Sequence, residues 1–256
     1  MKIALLQIEI SEKLSAIEDA LQKIGTIEAD YAILPEMCYG GFNYKTIYDR
    51  SRNFNQVKDM LLKFASKTTT GIIGTIQELE DGKIYNSMLY IDKDGLLKKK
   101  QRKYFLFKPN KEEKYFRPGA KEYVPVRLKD AVFGGAICYE LRFPEIFRKQ
   151  SFNGMQIAVV PAQWPASRIA HWKTLIQARA IENSCFFAAV NAIGKLNDME
   201  LGGNSMIVNP DGKVLRNLGK NREIAVIDIN LDEIRKAREV IPSLEESKKE
   251  QFYGNC

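Results

Sequence analysis

The sequence predicts an α/β fold in which two similar β-sheets pack face to face with helices on their outer surfaces. Short β-rich runs alternate with longer amphipathic segments along most of the 256 residues. The two halves also repeat one pattern, βαβα followed by a hairpin. Residues 32–36 (AILPE) resemble residues 158–162 (AVVPA), and residues 86–88 (NSM) are repeated at 204–206.

In the first half, short apolar runs predict strands, and apolar residues three or four positions apart predict helices. The predicted strands are 2–8, 31–34, 71–79, 87–92 and the basic run 98–103, and the predicted helices are 14–27 and 57–66. The first of these helices places Leu14, Ile17, Leu21 and Ile24 on one face. Asp81-Gly82 is a turn signal that joins two of the strands.

The second half repeats this alternation. The predicted strands are 131–139, 157–161, 185–191, 205–208, 214–216 and 224–229, and the predicted helices are 144–150, 167–184 and a charged tail from residue 231. Pro210-Asp211-Gly212 predicts the turn of a hairpin. Since no Pro-, Gly- or Ser-rich linker divides the chain, we expect a single domain over residues 1–256.

Lys and Arg number 39 and Asp and Glu number 32, which gives a net charge of +7. The basic residues are mostly scattered, and the densest run, 98–103 (KKKQRK), contains no interleaved aromatic residue. This pattern favours a solvated face over a nucleic-acid surface. An anionic substrate is a better use of the excess positive charge.

Several other classes of protein are disfavoured. The longest apolar runs, 157–162 and 185–190, are far shorter than the ~20 residues of a membrane span. The cysteines at 38, 138, 185 and 256 form no CxxC pair, and His171 is the one histidine, so no metal site is expected. With no signal-peptide core at the start, we expect a reducing cytoplasmic location.

Cys138 is a candidate nucleophile. It ends a predicted buried strand and precedes a polar turn and a helix that begins near Pro144. A thiol at a helix N-terminus gains thiolate character. The alternative is that Cys138 is an inert buried cysteine.

A thiol nucleophile needs a base. His171 lies on a predicted helix, where a packed or partly exposed histidine is the competing interpretation. A carboxylate can serve instead if burial raises its pKa. Glu36 follows an apolar strand and Pro35, and Lys103 offers a cation to hold an oxyanion and balance buried carboxylates.

Together these segments resemble the nitrilase (carbon–nitrogen hydrolase) superfamily. The matching segments are 34–37 (LPEM), 40–42 (GGF), Lys103 with 106–107 (LF), 138–145 (CYELRFPE), 163–165 (QWP) with Arg168, 177–183 (QARAIEN) and 203–205 (GNS). They occur in order from about residue 1 to 235. The resemblance implies a four-layer α-β-β-α sandwich.

The resemblance also implies a catalytic triad. In it, Glu36 is the general base and acid, Lys103 stabilises the oxyanion, and Cys138 is the nucleophile. The backbone amide of Tyr139 would complete the oxyanion hole. An amide substrate would release ammonia and leave an acyl-thioester for water to hydrolyse, with no metal or organic cofactor.

A second glutamate is expected to position Lys103 or the leaving amine. Glu112 stands six residues before Pro118-Gly119, where the family carries this residue, and Glu113 is the competing assignment. One position departs from the family: Phe105 stands where a histidine is usual. The packing behind Lys103 must therefore differ.

The flanking motifs look most like the ω-amidase branch, whose members hydrolyse small dicarboxylate monoamides such as 2-oxoglutaramate. Because such a substrate is anionic at its far end, its pocket requires a cation. Arg168 is the candidate, with a solvated helix-end arginine as the alternative. Arg142 is expected to be structural and paired with Glu140 or Glu145. Three aromatic residues could form the pocket wall: Tyr39, Phe42 and Trp164.

Other interpretations stay open. The substrate could be an N-carbamoyl compound, deaminated glutathione, methylthio-oxobutanamide or a nitrile, or the chain could be a catalytically idle binding protein. The family commonly dimerises through the helices after Cys138 and around residues 178–183, so a homodimer or higher homo-oligomer is expected. Cys38 and Cys185 are expected to pack in the core, and Cys256 to be mobile.

Overall fold

Two six-stranded sheets lie face to face between helices in the computed structural model, which describes residues 1–196 and 199–250. The predicted four-layer α-β-β-α sandwich is confirmed. Cys256 lies outside the described residues.

The first sheet has the order β14-β1-β2-β3-β4-β5. Its strands are β1 (Lys2–Gln7), β2 (Tyr31–Ile33), β3 (Gly71–Glu80), β4 (Lys83–Ile91), β5 (Leu97–Arg102) and β14 (Glu223–Asp228). β1, β2 and β3 are parallel, whereas β14, β4 and β5 pair antiparallel to their neighbours.

The second sheet has the order β13-β12-β9-β8-β7-β6. Its strands are β6 (Val126–Arg127), β7 (Val132–Gly135), β8 (Ile157–Ala162), β9 (Phe186–Asn191), β12 (Met206–Val208) and β13 (Val214–Asn217). Again three parallel strands, β7 to β9, are flanked by antiparallel ones. In both sheets three parallel strands are followed by an antiparallel hairpin, as the repeated sequence pattern predicts. The sixth strand differs, since β14 comes last in the chain whereas β6 directly precedes β7.

The helices cover the outer faces and the ends of the sheets. They are α1 (Leu14–Gly25), α2 (Ile47–Ser51), α3 (Phe54–Thr68), α4 (Glu112–Tyr115), α5 (Pro144–Phe152), α6 (Ile169–Asn183), α7 (Asp232–Val240) and α8 (Ser243–Lys249). None of the helices within the described ranges is long and apolar enough to cross a membrane.

Strand alternation divides the core into layers, because successive side chains point to opposite faces of a sheet. Ile3 and Leu5 of β1 join the cluster between the sheets, together with Phe133 of β7. Ala4 and Leu6 of the same strand face α1 and α3. A third cluster lies between the second sheet and helices α5 and α6.

Two predicted boundaries are wrong in a way that matters for the site. The strand predicted over 131–139 ends at Gly135, and Cys138–Arg142 forms a 3₁₀ helix. Cys138 has φ 52°, a left-handed conformation that no strand contains. The helix predicted from Ser167 starts as a 3₁₀ turn, Ala166–Arg168, before α6.

A two-stranded hairpin that sequence patterning missed stands apart from both sheets. It consists of β10 (Ile193–Leu196) and β11 (Met199–Gly202). Isolated bridges from Glu9 to Ile193 and from Pro165 to Leu201 anchor its base. The hairpin is therefore fixed beside the segments that follow β1 and β8.

The basic run pairs with acidic groups of its own sheet. Lys98 Nζ lies 2.8 Å from Asp94 Oδ2, and Arg102 Nη2 lies 2.8 Å from Glu78 Oε1. Lys100 also pairs with Glu78. Much of the positive charge on β5 is thus neutralised locally, which is in line with the predicted solvated face.

Candidate active site

Glu36 lies in the turn that follows β2, and its side chain has no exposure to solvent. Its Oε1 accepts hydrogen bonds from Lys103 Nζ at 2.9 Å and from Asn86 Nδ2 at 2.8 Å. Among the described residues, its Oε2 has no hydrogen-bond partner. One carboxylate oxygen is therefore held in place and the other is available for proton transfer.

Lys103 follows directly after β5 and is also fully buried. Its Nζ lies 2.9 Å from Glu36 Oε1 and 2.9 Å from Glu112 Oε1. Burial alone would lower the pKa of Lys103, but the two carboxylates raise it well above its usual value. The side chain therefore carries a positive charge at neutral pH.

Glu112 begins α4, and its Oε2 accepts a hydrogen bond from the Phe107 amide at 2.9 Å. Burial, opposed by the charge of Lys103, raises the pKa of Glu112. Glu113 is exposed. Of the two competing glutamates, the structure thus places Glu112 against Lys103.

Cys138 opens the 3₁₀ helix after β7 and lies in the same cavity as Glu36 and Glu112. Burial and then the charge of Glu36 raise the pKa of the Cys138 thiol well above its usual value, while the charge of Lys103 opposes them. The free site therefore holds a neutral thiol beside a carboxylate. Such a pair can transfer the thiol proton when the sulfur attacks.

The cavity has a volume of about 180 Å³. Its lining residues come from the segments that follow strands of both sheets, from the segment around α4 and from the β10–β11 hairpin: Glu36, Phe42, Phe107, Pro109, Asn110, Glu112, Cys138, Tyr139, Arg142, Gln163, Trp164, Pro165, Arg168, Leu196 and Met199. The site therefore depends on long-range packing of both halves.

Four of the five residues predicted to bind substrate line this cavity: Phe42, Tyr139, Trp164 and Arg168. Tyr39, the fifth, does not line the cavity. Its side chain packs in the cluster with α1 and α3, and its hydroxyl accepts a hydrogen bond from Asn53 at 3.1 Å. Met37 and Gly40 have positive φ, so the chain reverses here and turns Tyr39 away from Glu36.

Arg142 does not form the predicted pair with Glu140 or Glu145. Its guanidinium lies 4.6 Å from the centre of the Trp164 ring and lines the cavity. Its Nη2 lies 3.4 Å from His171 Nδ1. Because an arginine can only donate, the imidazole nitrogen is the acceptor in this contact.

Arg168 is the second guanidinium of the cavity. Its side chain is exposed and lies 5.6 Å from the centre of the Phe107 ring. Phe107 in turn packs against Tyr139, with ring centres 5.1 Å apart. The arginine thus sits on an aromatic support beside the nucleophile turn.

Phe105, which stands where a histidine is usual, stacks on Phe143 with ring centres 4.0 Å apart and an angle of 10°. Phe143 meets the Tyr139 ring edge-on at 5.3 Å. An aromatic stack therefore fills the space behind the segment that follows Lys103.

Sequence reasoning missed two polar residues of the site, Asn86 and Gln163. Asn86 binds Glu36, and Gln163 Nε2 donates to the Glu36 carbonyl oxygen at 2.7 Å. The repeated NSM segment flagged Asn86, and the QWP motif contains Gln163. Neither signal indicates a contact with Glu36, because these contacts join distant parts of the chain.

The sequence matches a known protein family. Residues 2–239 match the carbon–nitrogen hydrolase family. A 2-oxoglutaramate amidase of Bacillus subtilis (strain 168) is 34% identical over 226 residues, which cover 88% of this chain and 87% of the relative. A Staphylococcus aureus protein called hydrolase in agr operon is 31% identical over 94% of this chain and 96% of the relative.

The fold has solved counterparts. The crystal structure of a CN-hydrolase superfamily protein from Xanthomonas campestris, with an arsenic adduct in its active site, has a TM-score of 0.88. The two proteins are 25% identical, and the similarity covers 96% of each chain. This chain therefore belongs to the carbon–nitrogen hydrolase (nitrilase) superfamily.

Proposed function

We propose that the protein hydrolyses the terminal amide of a small dicarboxylate monoamide, such as 2-oxoglutaramate, to the acid and ammonia. One observation carries this proposal. A single cavity of about 180 Å³ is lined by the Cys138 thiol, the carboxylates of Glu36 and Glu112 and the guanidinium groups of Arg142 and Arg168, and the ammonium group of Lys103 pairs with both carboxylates.

The charges of the cavity favour an anionic substrate. Lys103, Arg142 and Arg168 supply three positive charges against the two carboxylates of Glu36 and Glu112. Lys103 is already paired with both carboxylates, so the two arginines are the cations left for a ligand. Arginine suits a carboxylate because its planar fork can donate two parallel hydrogen bonds.

The rest of the lining suits a short aliphatic chain. Phe42, Trp164, Leu196 and Met199 present apolar surface in the same cavity. A substrate with an amide at one end, a carboxylate at the other and methylene groups between them would match polar, apolar and cationic surfaces in turn.

Acylation begins when Cys138 Sγ attacks the amide carbon and Glu36 takes the thiol proton. The carbonyl oxygen becomes an oxyanion, which Lys103 and the Tyr139 amide stabilise. Glu36 then gives the proton to the nitrogen, the C–N bond breaks, and ammonia leaves. The product on the enzyme is a Cys138 thioester.

Deacylation repeats the same steps with water. Glu36 takes a proton from a water molecule while the water oxygen attacks the thioester carbon, and the C–S bond breaks. Glu36 then returns the proton to Cys138 Sγ, and the acid product leaves. Glu112 keeps Lys103 charged and in place through both halves of the reaction.

The name of the Bacillus subtilis relative, 2-oxoglutaramate amidase, supports this substrate class. The free cysteines support a cytoplasmic location. Cys38, Cys138 and Cys185 are free thiols, which fits the reducing cytoplasm.

A homodimer through α5 and α6 stays a prediction. Ile181 on α6 is 54% exposed and is available for such a contact.

Ammonia release from a panel of substrates tests the proposal. The panel contains 2-oxoglutaramate, succinamate, an N-carbamoyl amino acid, a deaminated peptide amide and a simple nitrile. We expect rapid release from the first two, loss of release in Cys138→Ala, and retention in Cys185→Ala, which removes a buried thiol of the core. Activity confined to the other three substrates, or folded protein that is silent on all five, would contradict the proposal.

A further inference from the structure

Glu140 is a buried carboxylate to which the reaction above gives no role. It lies two residues after the nucleophile in the same 3₁₀ helix, and it has no exposure to solvent. Burying a charged carboxylate costs free energy unless hydrogen bonds satisfy it. The donors that surround Glu140 therefore indicate what the side chain is for.

Four donors meet this carboxylate. Its Oε2 accepts from the Ile137 amide at 2.8 Å. Its Oε1 accepts from the Tyr104 amide at 2.8 Å, the Phe105 amide at 3.1 Å and the Tyr123 hydroxyl at 2.7 Å. Since backbone N–H groups only donate, both oxygens must act as acceptors, which is how a carboxylate behaves.

The three backbone donors belong to two separate parts of the site. Ile137 precedes the nucleophile Cys138, whereas Tyr104 and Phe105 follow Lys103. One side chain therefore joins the nucleophile turn to the segment that carries the oxyanion cation. No other side chain in the described ranges accepts hydrogen bonds from backbone amides of both segments.

The nucleophile turn needs such a support. Cys138 has φ 52°, a left-handed conformation that is unfavourable for a non-glycine residue and persists only where its surroundings fix it. Glu140 makes two hydrogen bonds to Ile137, the residue that precedes Cys138. Its side chain holds the Ile137 amide, and its own amide donates to the Ile137 carbonyl oxygen at 3.0 Å.

Hydrogen bonds also hold the backbone of Lys103 and of the two residues that follow it. The Lys103 amide donates to the Asn86 carbonyl oxygen at 2.8 Å, and the next two amides of the chain bind Glu140. A shift of Glu140 would therefore move the Lys103 segment and the Cys138 turn relative to each other.

We propose that Glu140 is a positioning residue that sets the distance between the nucleophile turn and Lys103, so that Lys103 Nζ and the Tyr139 amide converge on one substrate oxygen. This inference rests on the proposed function for the roles of Cys138, Lys103 and Tyr139. Glu140 touches no reacting atom and acts through the backbone on either side.

Glu140→Gln tests the role with almost no change in volume. It replaces one acceptor oxygen by an NH₂ group, which would face the Ile137 amide or the donors on Oε1 as a second donor. Glu140→Asp keeps both acceptors on a shorter side chain. Tyr123→Phe removes one donor and leaves the carboxylate, and Glu145→Gln changes an exposed carboxylate of α5 as a matched control.

The readout compares two ligands of the same cavity. The thiol of Cys138 adds to the aldehyde C=O bond of succinic semialdehyde. An S–C bond forms and the thiol proton moves to the aldehyde oxygen. That oxygen then interacts with the oxyanion donors, Lys103 Nζ and the Tyr139 amide. Succinate has the same length and two carboxylates but forms no such bond. The ratio of the two Kd values reports the convergence on the oxygen without turnover.

For Glu140→Gln we expect the aldehyde to bind about 100-fold more weakly, as for a displacement near 1 Å, and succinate to bind as in the wild type. Glu140→Asp should recover part of the loss, Tyr123→Phe should show a smaller loss, and Glu145→Gln none. A residue that serves folding alone would lower the fraction of active protein and leave this ratio unchanged. An unchanged ratio in Glu140→Gln and Tyr123→Phe would overturn the inference.

Cys138→Ala separates this inference from the proposed function. We expect it to bind succinate and to lose the extra affinity for the aldehyde. If Cys138→Ala bound the aldehyde as tightly as the wild type, the nucleophile assignment would fall, and the role of Glu140 would fall with it. If Cys138→Ala loses that affinity and Glu140→Gln keeps it, Glu140 alone is refuted.

Discussion

Lys103 Nζ lies 2.9 Å from Glu36 Oε1, and neither side chain is exposed to solvent. A buried ion pair of this kind ties stability to catalysis, because each charge depends on the other for its place in the core. Glu112 completes the arrangement at 2.9 Å from the same nitrogen. Several consequences can be measured.

Lys103→Met should remove both activity and stability. The substitution leaves the carboxylates of Glu36 and Glu112 buried without their cation, and breaking a buried pair from one side costs about 3–5 kcal/mol. Urea unfolding of the wild type, Lys103→Met and Lys121→Met, an exposed lysine, measures the difference. A Lys103→Met protein as stable as Lys121→Met would show that the pair is not a structural requirement.

The thiol of Cys138 should be neutral at pH 7 and should react only as its small thiolate fraction. Because burial and the charge of Glu36 raise its pKa, the rate of alkylation by iodoacetamide in a Cys256→Ser background should keep rising beyond about pH 10. The rate for an ordinary thiol, with a pKa of about 8.5, would level off about one pH unit above that value. A plateau near pH 7 in this background would indicate a preformed thiolate and contradict a raised pKa of Cys138.

Glu36→Gln should separate reactivity from catalysis. Removing its charge lowers the pKa of Cys138, so the alkylation profile should move to lower pH while ammonia release is lost. Glu113→Gln, which changes an exposed carboxylate, should shift neither property. An alkylation profile that does not move would mean that Glu36 has little electrostatic effect on the thiol.

Arg142→Gln and Arg168→Gln should reduce selectivity for anionic substrates. We compare kcat/KM for succinamate and for butyramide, which has a methyl group in place of the carboxylate. Each variant should lower the succinamate value about tenfold or more and leave butyramide unchanged, since only the first substrate can pair with a guanidinium. Arg222→Gln, an exposed arginine, is the control. Equal losses on both substrates would argue against carboxylate recognition.

Acid should unfold the wild type partly through Glu78. Burial would raise the pKa of this carboxyl, but Arg102, Lys100 and Ser87 lower it to about 2. A lowered pKa gives stability that is present above the unfolded value of 4.5 and is lost as the pH falls toward 2. Between pH 5 and pH 2, the wild type should therefore lose about 2 kcal/mol more of its unfolding free energy than Glu78→Gln does. Parallel losses would contradict this.

Much of the fold follows from local sequence patterns. The continuous apolar run of β1 indicates a strand buried on both faces, and the helical spacing of α1 shows its apolar face. The repeated segments at residues 86–88 and 204–206 indicate that each sheet continues into a similar hairpin. The β10–β11 hairpin could not be predicted, because its short strands carry no clear alternation and are held by bridges to Glu9 and Pro165.

The site was predictable where a residue ends a recognisable run. Glu36 follows β2, Lys103 follows β5, and Cys138 follows β7, and the structure brings all three together. Arg142 was wrongly assigned to a local pair because it neighbours two glutamates in sequence. Glu140 already accepts four hydrogen bonds from elsewhere, which frees Arg142 to line the cavity.

The covalent intermediate is the most direct test of the whole account. The enzyme is mixed with succinamate, quenched in acid within the first turnover, and analysed by intact-protein and peptide mass spectrometry. We predict the added mass of one succinyl group on the peptide that contains Cys138, and its absence in Cys138→Ala. Ammonia release with Cys138 unmodified throughout, or release that persists in Cys138→Ala, would contradict the account.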